Sequence, residues 1–167
     1  MKYISTRGAA PPVSFTQMLL AGLAPDGGLY LPQAYSQLSQ ATIAGFAGRP
    51  YEEVAQAILT PFVAGEIEAD AFRGMIEAAY KNFRHKAIAP LTQLESNLFV
   101  LELFHGPTLA FKDLAMQLLA KLIDHVLKAR GERATIIGAT SGDTGAAAVE
   151  ALLDAQHHAL AVDIRDF

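Results

Sequence analysis

Ala134-Thr135-Ile136-Ile137-Gly138-Ala139-Thr140-Ser141-Gly142-Asp143-Thr144-Gly145 is the stretch whose reading decides the fold. Its first four residues form a short apolar run with β-branched side chains, the pattern of a buried strand. Gly138 to Gly145 makes a loop of glycines and hydroxyls, and residues 144–156 then carry a helical pattern. Ala159-Leu160-Ala161-Val162-Asp163-Ile164 reads as the next strand. Working backwards, Gly131 is a natural stop for a long helix over about 109–130. Leu98-Phe99-Val100-Leu101-Glu102-Leu103 precedes that helix as another strand candidate. Alternating strands and helices imply parallel strands with right-handed crossovers. The expected fold class is therefore α/β, an incomplete parallel β-α-β-α-β sheet over residues 89–167.

Residues 1–88 read differently, as a mainly helical region. Helical segments are expected over 15–23, opened by a Ser14 cap, and over 38–46, 51–62 and 68–83. In the last of these, Phe72, Met75, Ile76, Ala79 and Phe83 recur at helical spacing. Residues 2–6 and 28–31 suit a pair of short strands. No residue pattern in this region suggests chemistry, and no internal repeat or low-complexity tract interrupts the chain.

With 167 residues, 51% of them hydrophobic and 18% charged, the composition is that of a globular protein able to bury a core without cross-links. The net charge of −4 argues against a general nucleic-acid binder, which needs a basic excess to displace counterions. A chain without cysteine excludes disulfides, thiol catalysis and cysteine zinc sites, and the histidines lack metal-ligand spacing, so no metal is expected. The apolar run over 18–24 is too short to span a bilayer, and the first residues lack a signal-peptide core. A soluble, cytoplasmic protein is expected, with no membrane partner.

Two loops could carry chemistry, because ligands in such sheets bind beyond the carboxyl ends of the strands. The first, Phe104-His105-Gly106-Pro107-Thr108-Leu109-Ala110-Phe111-Lys112-Asp113, places Lys112 in the first turn of the long helix. A stripe of Phe111, Leu114, Ala115, Leu118, Leu122 and Val126 is expected to be buried, with Lys112 on its flank. Partial burial and the positive end of a helix both favour a neutral amine, which Schiff-base and general-base lysines require. The plain alternative is a solvated lysine paired with Asp113. The second loop, 138–145, is neither a dinucleotide fingerprint nor a Walker loop. Its glycines, its hydroxyls at Thr140, Ser141 and Thr144, and the helix start behind them form an anion cradle. The alternative there is an ordinary helix cap by Asp143 or Thr144.

Taken together, Glu102-Leu103-Phe104-His105-Gly106-Pro107-Thr108-Leu109-Ala110-Phe111-Lys112-Asp113 and Ala139-Thr140-Ser141-Gly142-Asp143-Thr144-Gly145-Ala146-Ala147 closely resemble threonine synthase. That family belongs to the tryptophan-synthase-β-like (fold type II) group of pyridoxal-phosphate enzymes. Tyr3-Ile4-Ser5-Thr6-Arg7 and Asp26-Gly27-Gly28-Leu29-Tyr30-Leu31-Pro32 fit the same family in the expected order. The resemblance implies a carbon–oxygen lyase acting on phosphate that turns O-phosphohomoserine and water into threonine and phosphate. It makes Lys112 the catalytic residue, holding pyridoxal phosphate as a Schiff base and then acting as a base at Cα and Cβ. It assigns Thr140, Ser141, Gly142 and Thr144 to the substrate carboxylate, and Asp143, at a position where relatives carry asparagine, to the cofactor. Two rival readings are a serine or threonine dehydratase of the same group and a non-catalytic anion-binding or assembly module. The family's cofactor-phosphate loop and pyridine-nitrogen ligand fall much later than residue 167. An N-terminal portion, inactive by itself, is therefore expected, with the strand over 159–164 as an edge inviting a homo-oligomer.

Overall fold

The computed structural model describes residues 1–63, 65–140, 142–153 and 158–164, the last segment by its backbone alone. The chain divides into two compact units, Met1–Gly74 and Met75–Phe167.

In the first unit, β1 (Tyr3–Ser5) leads through a loop to α1 (Phe15–Ala21), and β2 (Tyr30–Pro32) returns antiparallel to β1 with Tyr3 opposite Pro32 and Ser5 opposite Tyr30. α1 starts where Ser14 accepts the Gln17 amide while the Gln17 side chain accepts the Ser14 amide, a reciprocal capping box. The Glu66 carboxylate adds a second cap from outside the helix, accepting the amides of Phe15 at 2.8 Å and Thr16 at 3.0 Å. The turn at residues 25–28 is built on Asp26, which accepts from the Ser5 hydroxyl and from the amides of Ala9, Ala10 and Gly28. Two helices follow, α2 (Gln40–Ala44) and α3 (Tyr51–Val63). Tyr3, Phe15, Ala24, Ala55, Val63, Ile67 and Phe72 are buried hydrophobic side chains of this unit, and the Tyr3 hydroxyl donates to the Phe62 carbonyl at 2.8 Å.

α4 (Ala69–Tyr80) carries the boundary between the units, with Phe72, Ile76 and Ala79 each 1% exposed, as their helical spacing predicts. The second unit continues with β3 (Leu91–Glu95) and β4 (Leu98–Leu101), then α5 (Asp113–Arg130), β5 (Ala134–Thr140), α6 (Asp143–Leu152) and β6 (His158–Ile164). β5 and β6 pair in parallel across the α6 crossover, from Ala134 opposite His158 to Thr140 opposite Ile164. Ala120 of α5 and Ala151 and Leu152 of α6 form a core cluster, against which Met116 and Ile136 pack. Small residues on the helices bring the layers close.

Three expectations change. The strand at 98–101 pairs not in a parallel sheet but with β3, as an antiparallel hairpin with Leu91 opposite Leu101 and Glu95 opposite Leu98. Ser96 and Asn97 form a two-residue turn, which joins antiparallel strands locally, whereas a parallel partner needs a crossover. β5 is not covered on both faces: its residues alternate between half-buried and exposed, with Ile137 81% exposed. The buried face of α5 also differs. Leu118, Leu122 and Val126 lie in it as expected, but Phe111 and Ala115 are exposed, and Asp113 and Gln117 take buried places. The helix starts at Asp113, so Phe111 belongs to the preceding turn and is not bound by helical periodicity.

Candidate functional site

Both candidate loops lie in the second unit, and each is organised by a side chain whose oxygen accepts from the loop backbone. In the first loop the organiser is Asp113, the first residue of α5 and fully buried. Its carboxylate accepts the Thr108 amide at 2.8 Å and the Thr108 hydroxyl at 2.7 Å. A carboxylate at a helix start is favoured by the exposed N–H groups there, and here it also closes the loop in front of it. Gly106 is buried against Asp113: a β-carbon added at Gly106 would fall 2.7 Å from the Asp113 Cγ, far inside contact distance. Between them Leu109 holds a left-handed conformation with φ 66°, a strained state for a leucine that persists because both ends of the turn are fixed.

Lys112 sits at the N-cap of α5, half-buried, with its ammonium 4.7 Å from the centre of the exposed Phe111 ring. Among the described residues its ammonium makes no hydrogen bond or ion pair. Asp113, the partner considered from sequence, is committed to Thr108 instead. The amine is thus presented on a rigid turn without being locked by a counter-charge.

The entry of this loop carries a second polar group. His105 Nε2 meets Glu102 Oε2 at 2.7 Å, and the other Glu102 oxygen accepts from the Thr92 hydroxyl on β3 at 2.8 Å. The hydrogen bond with His105 is the largest cause holding the Glu102 carboxyl below its ordinary range, followed by that from Thr92.

In the second loop the organiser is Thr140, at the end of β5. Its hydroxyl oxygen accepts the amides of Gly142 and Gly145, both at 3.2 Å. Two accepted bonds leave the hydroxyl one proton to donate, the polarity an anion requires. Gly142 caps α6 with φ 137° and no side-chain cap bond, so neither Asp143 nor Thr144 caps the helix as the plainer sequence alternative supposed. Asp143 and Thr144 are exposed in the first turn of α6. Ser141 lies outside the described residues. The structure thus gathers Thr140, Gly142 and Gly145 into one cradle. No hydrogen bond among the described residues joins Lys112 to it. Sequence reading passed over Asp113 as the brace and Glu102 as the partner of His105. The signal available was Thr108 and Asp113 flanking a turn at a helix start, and Glu102 three residues before His105.

The α/β protein with this lysine at one strand-to-helix junction and this amide-and-hydroxyl cradle at the next has relatives among known proteins. A family profile described as the threonine synthase N terminus matches residues 2–80. Threonine synthase of Pseudomonas aeruginosa is 57% identical over 150 residues, covering 90% of this chain and 32% of that relative. The Methylobacillus glycogenes threonine synthase is 46% identical, with 91% of this chain and 34% of the relative covered. The crystal structure of pyridoxal-phosphate-bound threonine synthase from Brucella melitensis superposes with a TM-score of 0.95 and 59% identity, over 97% of this chain and 35% of that one. The yeast threonine synthase structure gives a TM-score of 0.90 at 35% identity, over 96% of this chain and 35% of that one. The chain belongs to the threonine synthase family and spans about a third of the length of the relatives it matches.

Proposed function

We propose that the chain serves the threonine synthase reaction, the pyridoxal-phosphate-dependent conversion of O-phospho-L-homoserine and water to L-threonine and phosphate. The observation that carries this reading is Lys112 itself: an amine on a braced turn, free of any ion pair among the described residues, in a chain 57% and 59% identical to threonine synthases over the matched length. Lysine adds to an aldehyde only as the free amine, and a salt bridge would oppose that state. The residues present therefore fit the cofactor. When bound, it supplies an electron sink for charge developing on the substrate.

Within that reading each side chain has a physical task. Lys112 holds the cofactor and, once released, moves protons at Cα and Cβ of the substrate. The hydroxyl proton of Thr140, with Ser141, Gly142 and Thr144, binds the substrate carboxylate, and Asp143 contacts the cofactor. The brace from Thr108 to Asp113 keeps Lys112 in one place, which supplies orientation rather than chemistry. Residues 1–88 act as the N-terminal region and 89–167 as part of the cofactor domain, whose parallel pair β5–β6 belongs to the larger sheet of the fold type II class. A cytoplasmic biosynthetic setting follows from this activity. Among the described residues no helix is long and apolar enough to cross a membrane.

The test is chemical trapping. The chain is mixed with pyridoxal phosphate, reduced with borohydride, digested and mapped by mass spectrometry. A single dominant adduct on Lys112, lost in Lys112→Ala, is expected. Adducts scattered over Lys81, Lys86, Lys121 and Lys128 with no preference for Lys112 would refute the reading.

A further inference from the structure

His105 and Glu102 have no part in the chemistry above, yet they are the most heavily tied residues at the entry of the Lys112 loop. The His105 carbonyl accepts the Arg84 amide at 2.8 Å, and the Glu102 amide donates to the Pro90 carbonyl at 2.9 Å. The His105 ring lies between Phe104 and His85, with centroids 4.7 and 5.1 Å away. The Nδ1 of His85 accepts the Ala87 amide at 3.1 Å, and His85 acts on Glu102 only through its charge, the smallest of the influences on that carboxyl. The paired side chains are 18% and 24% exposed, so neither is a freely solvated surface charge.

The geometry points to Glu102 and His105 as a positioning pair that fixes the entry of the 104–112 loop and, through it, the presentation of Lys112 to the cofactor aldehyde. The path is short and stiff. His105 is followed by Gly106, which is pressed against Asp113 with no room for a β-carbon, and then by Pro107, whose ring fixes one backbone angle. Asp113 holds Thr108 and starts the helix whose N-cap is Lys112. A shift of His105 therefore reaches the lysine through contacts that cannot absorb it. The pair's oxygen-to-nitrogen distance of 2.7 Å is that of a charge-assisted hydrogen bond, which holds geometry better than a neutral one. Thr92 orients the carboxylate from β3, so the hairpin contributes to the lysine's placement.

This inference rests on Lys112 being the cofactor lysine, and the experiment separates the two. The rate of borohydride-trapped attachment at Lys112 is measured for the full 167-residue chain and for Glu102→Gln, which keeps the size and removes the charge. Nitrogen-15 spectra of the histidine rings are recorded without cofactor. Glu102→Gln is expected to slow attachment at Lys112 by between about tenfold and a hundredfold, the scale of an ångström-sized misplacement, with circular dichroism unchanged. It should also move the His105 ring signal further than that of His85. Unchanged attachment, or an unmoved His105 signal, overturns the positioning role while Lys112 keeps its own. No attachment at Lys112 in the unaltered chain overturns the reading on which the inference rests. Should Glu102→Gln unfold the chain, Thr92→Val on the exposed hairpin decides the matter. A several-fold slower attachment supports the pair, and an unchanged rate overturns it.

Discussion

At the residue scale the site is decided by which atoms already have partners. Asp113 and Thr140 show opposite uses of an oxygen: one spends both carboxylate oxygens holding the turn before Lys112, the other accepts two amides and keeps a proton to give. Thr140→Val removes the oxygen and leaves two helix-start amides without their partner. It should cost about 1–2 kcal/mol, the range of losing a cap, while Thr140→Ser stays within about 0.5 kcal/mol of the parent by urea unfolding. A larger loss in Thr140→Ser than in Thr140→Val would show that the methyl group rather than the hydroxyl matters. Gly106 gives a sharper case, because its added β-carbon meets buried Asp113 rather than a flexible chain end. Gly106→Ala should lower stability by about 2 kcal/mol or more and reduce trapping at Lys112, since the clash lies within the brace. Lys112 and Thr140 were legible as residues of interest from their loops alone. Their partners were not, because a bond between a loop and a helix start depends on backbone conformation, such as the left-handed Leu109, that no residue type signals.

At the element scale, most helices and strands follow from signals in the sequence. Ser14 begins α1, and Gly131 ends α5 in a left-handed conformation at φ 65°, with the Glu132 amide reaching back to the Leu127 carbonyl at 3.0 Å. Gly131→Ala should therefore destabilise by about 1 kcal/mol, because an alanine resists that backbone region. A stability unchanged in urea would mean the helix end rearranges freely. The Glu66 cap of α1 was invisible in sequence, since it arrives from 50 residues away. Removing it in Glu66→Ala should cost about 1–2 kcal/mol, more than a solvent-facing glutamate would. β3 was missed for a different reason. Every residue from Leu91 to Glu95 is exposed, so the segment lacks the clean alternation of a half-buried strand. Its pairing is set by the two-residue turn and by backbone bonds to β4, which a burial pattern does not record. The same exposure leaves Leu91, Leu94, Leu98, Phe99 and Leu101 open.

At the scale of the whole molecule, the acidic groups of both units predict how stability responds to pH. Asp26 is held below its ordinary value of 3.8, chiefly by the Ser5 hydroxyl and then by the amides around it. At Glu66 burial is the largest influence and pushes upwards, yet the bonds from the Thr16 and Phe15 amides and nearby hydroxyls together outweigh it and leave the group below 4.5. Glu102 is lowered likewise, by His105 first. A carboxyl with a lower pKa folded than unfolded stabilises the fold above its unfolded pKa, and that contribution is lost as pH falls through the folded value. Stability should thus hold level down to about pH 5 and then decline steadily through the acid range. Tyr3 sets the other limit. Burial, with Glu66 nearby, raises its pKa above 10.0, so its contribution is complete below that value and is lost as pH rises through the folded one. Urea midpoints measured from pH 2 to pH 7 in the parent and in an Asp26→Asn, Glu66→Gln double variant give the check. The variant should be less stable near neutrality and converge on the parent in acid, because below their folded values the parent's own carboxyls are neutral too. Parallel curves with a constant gap down to pH 2 would mean that the ionised state of these groups contributes nothing, and that their hydrogen bonds alone hold α1 and the turn at 25–28.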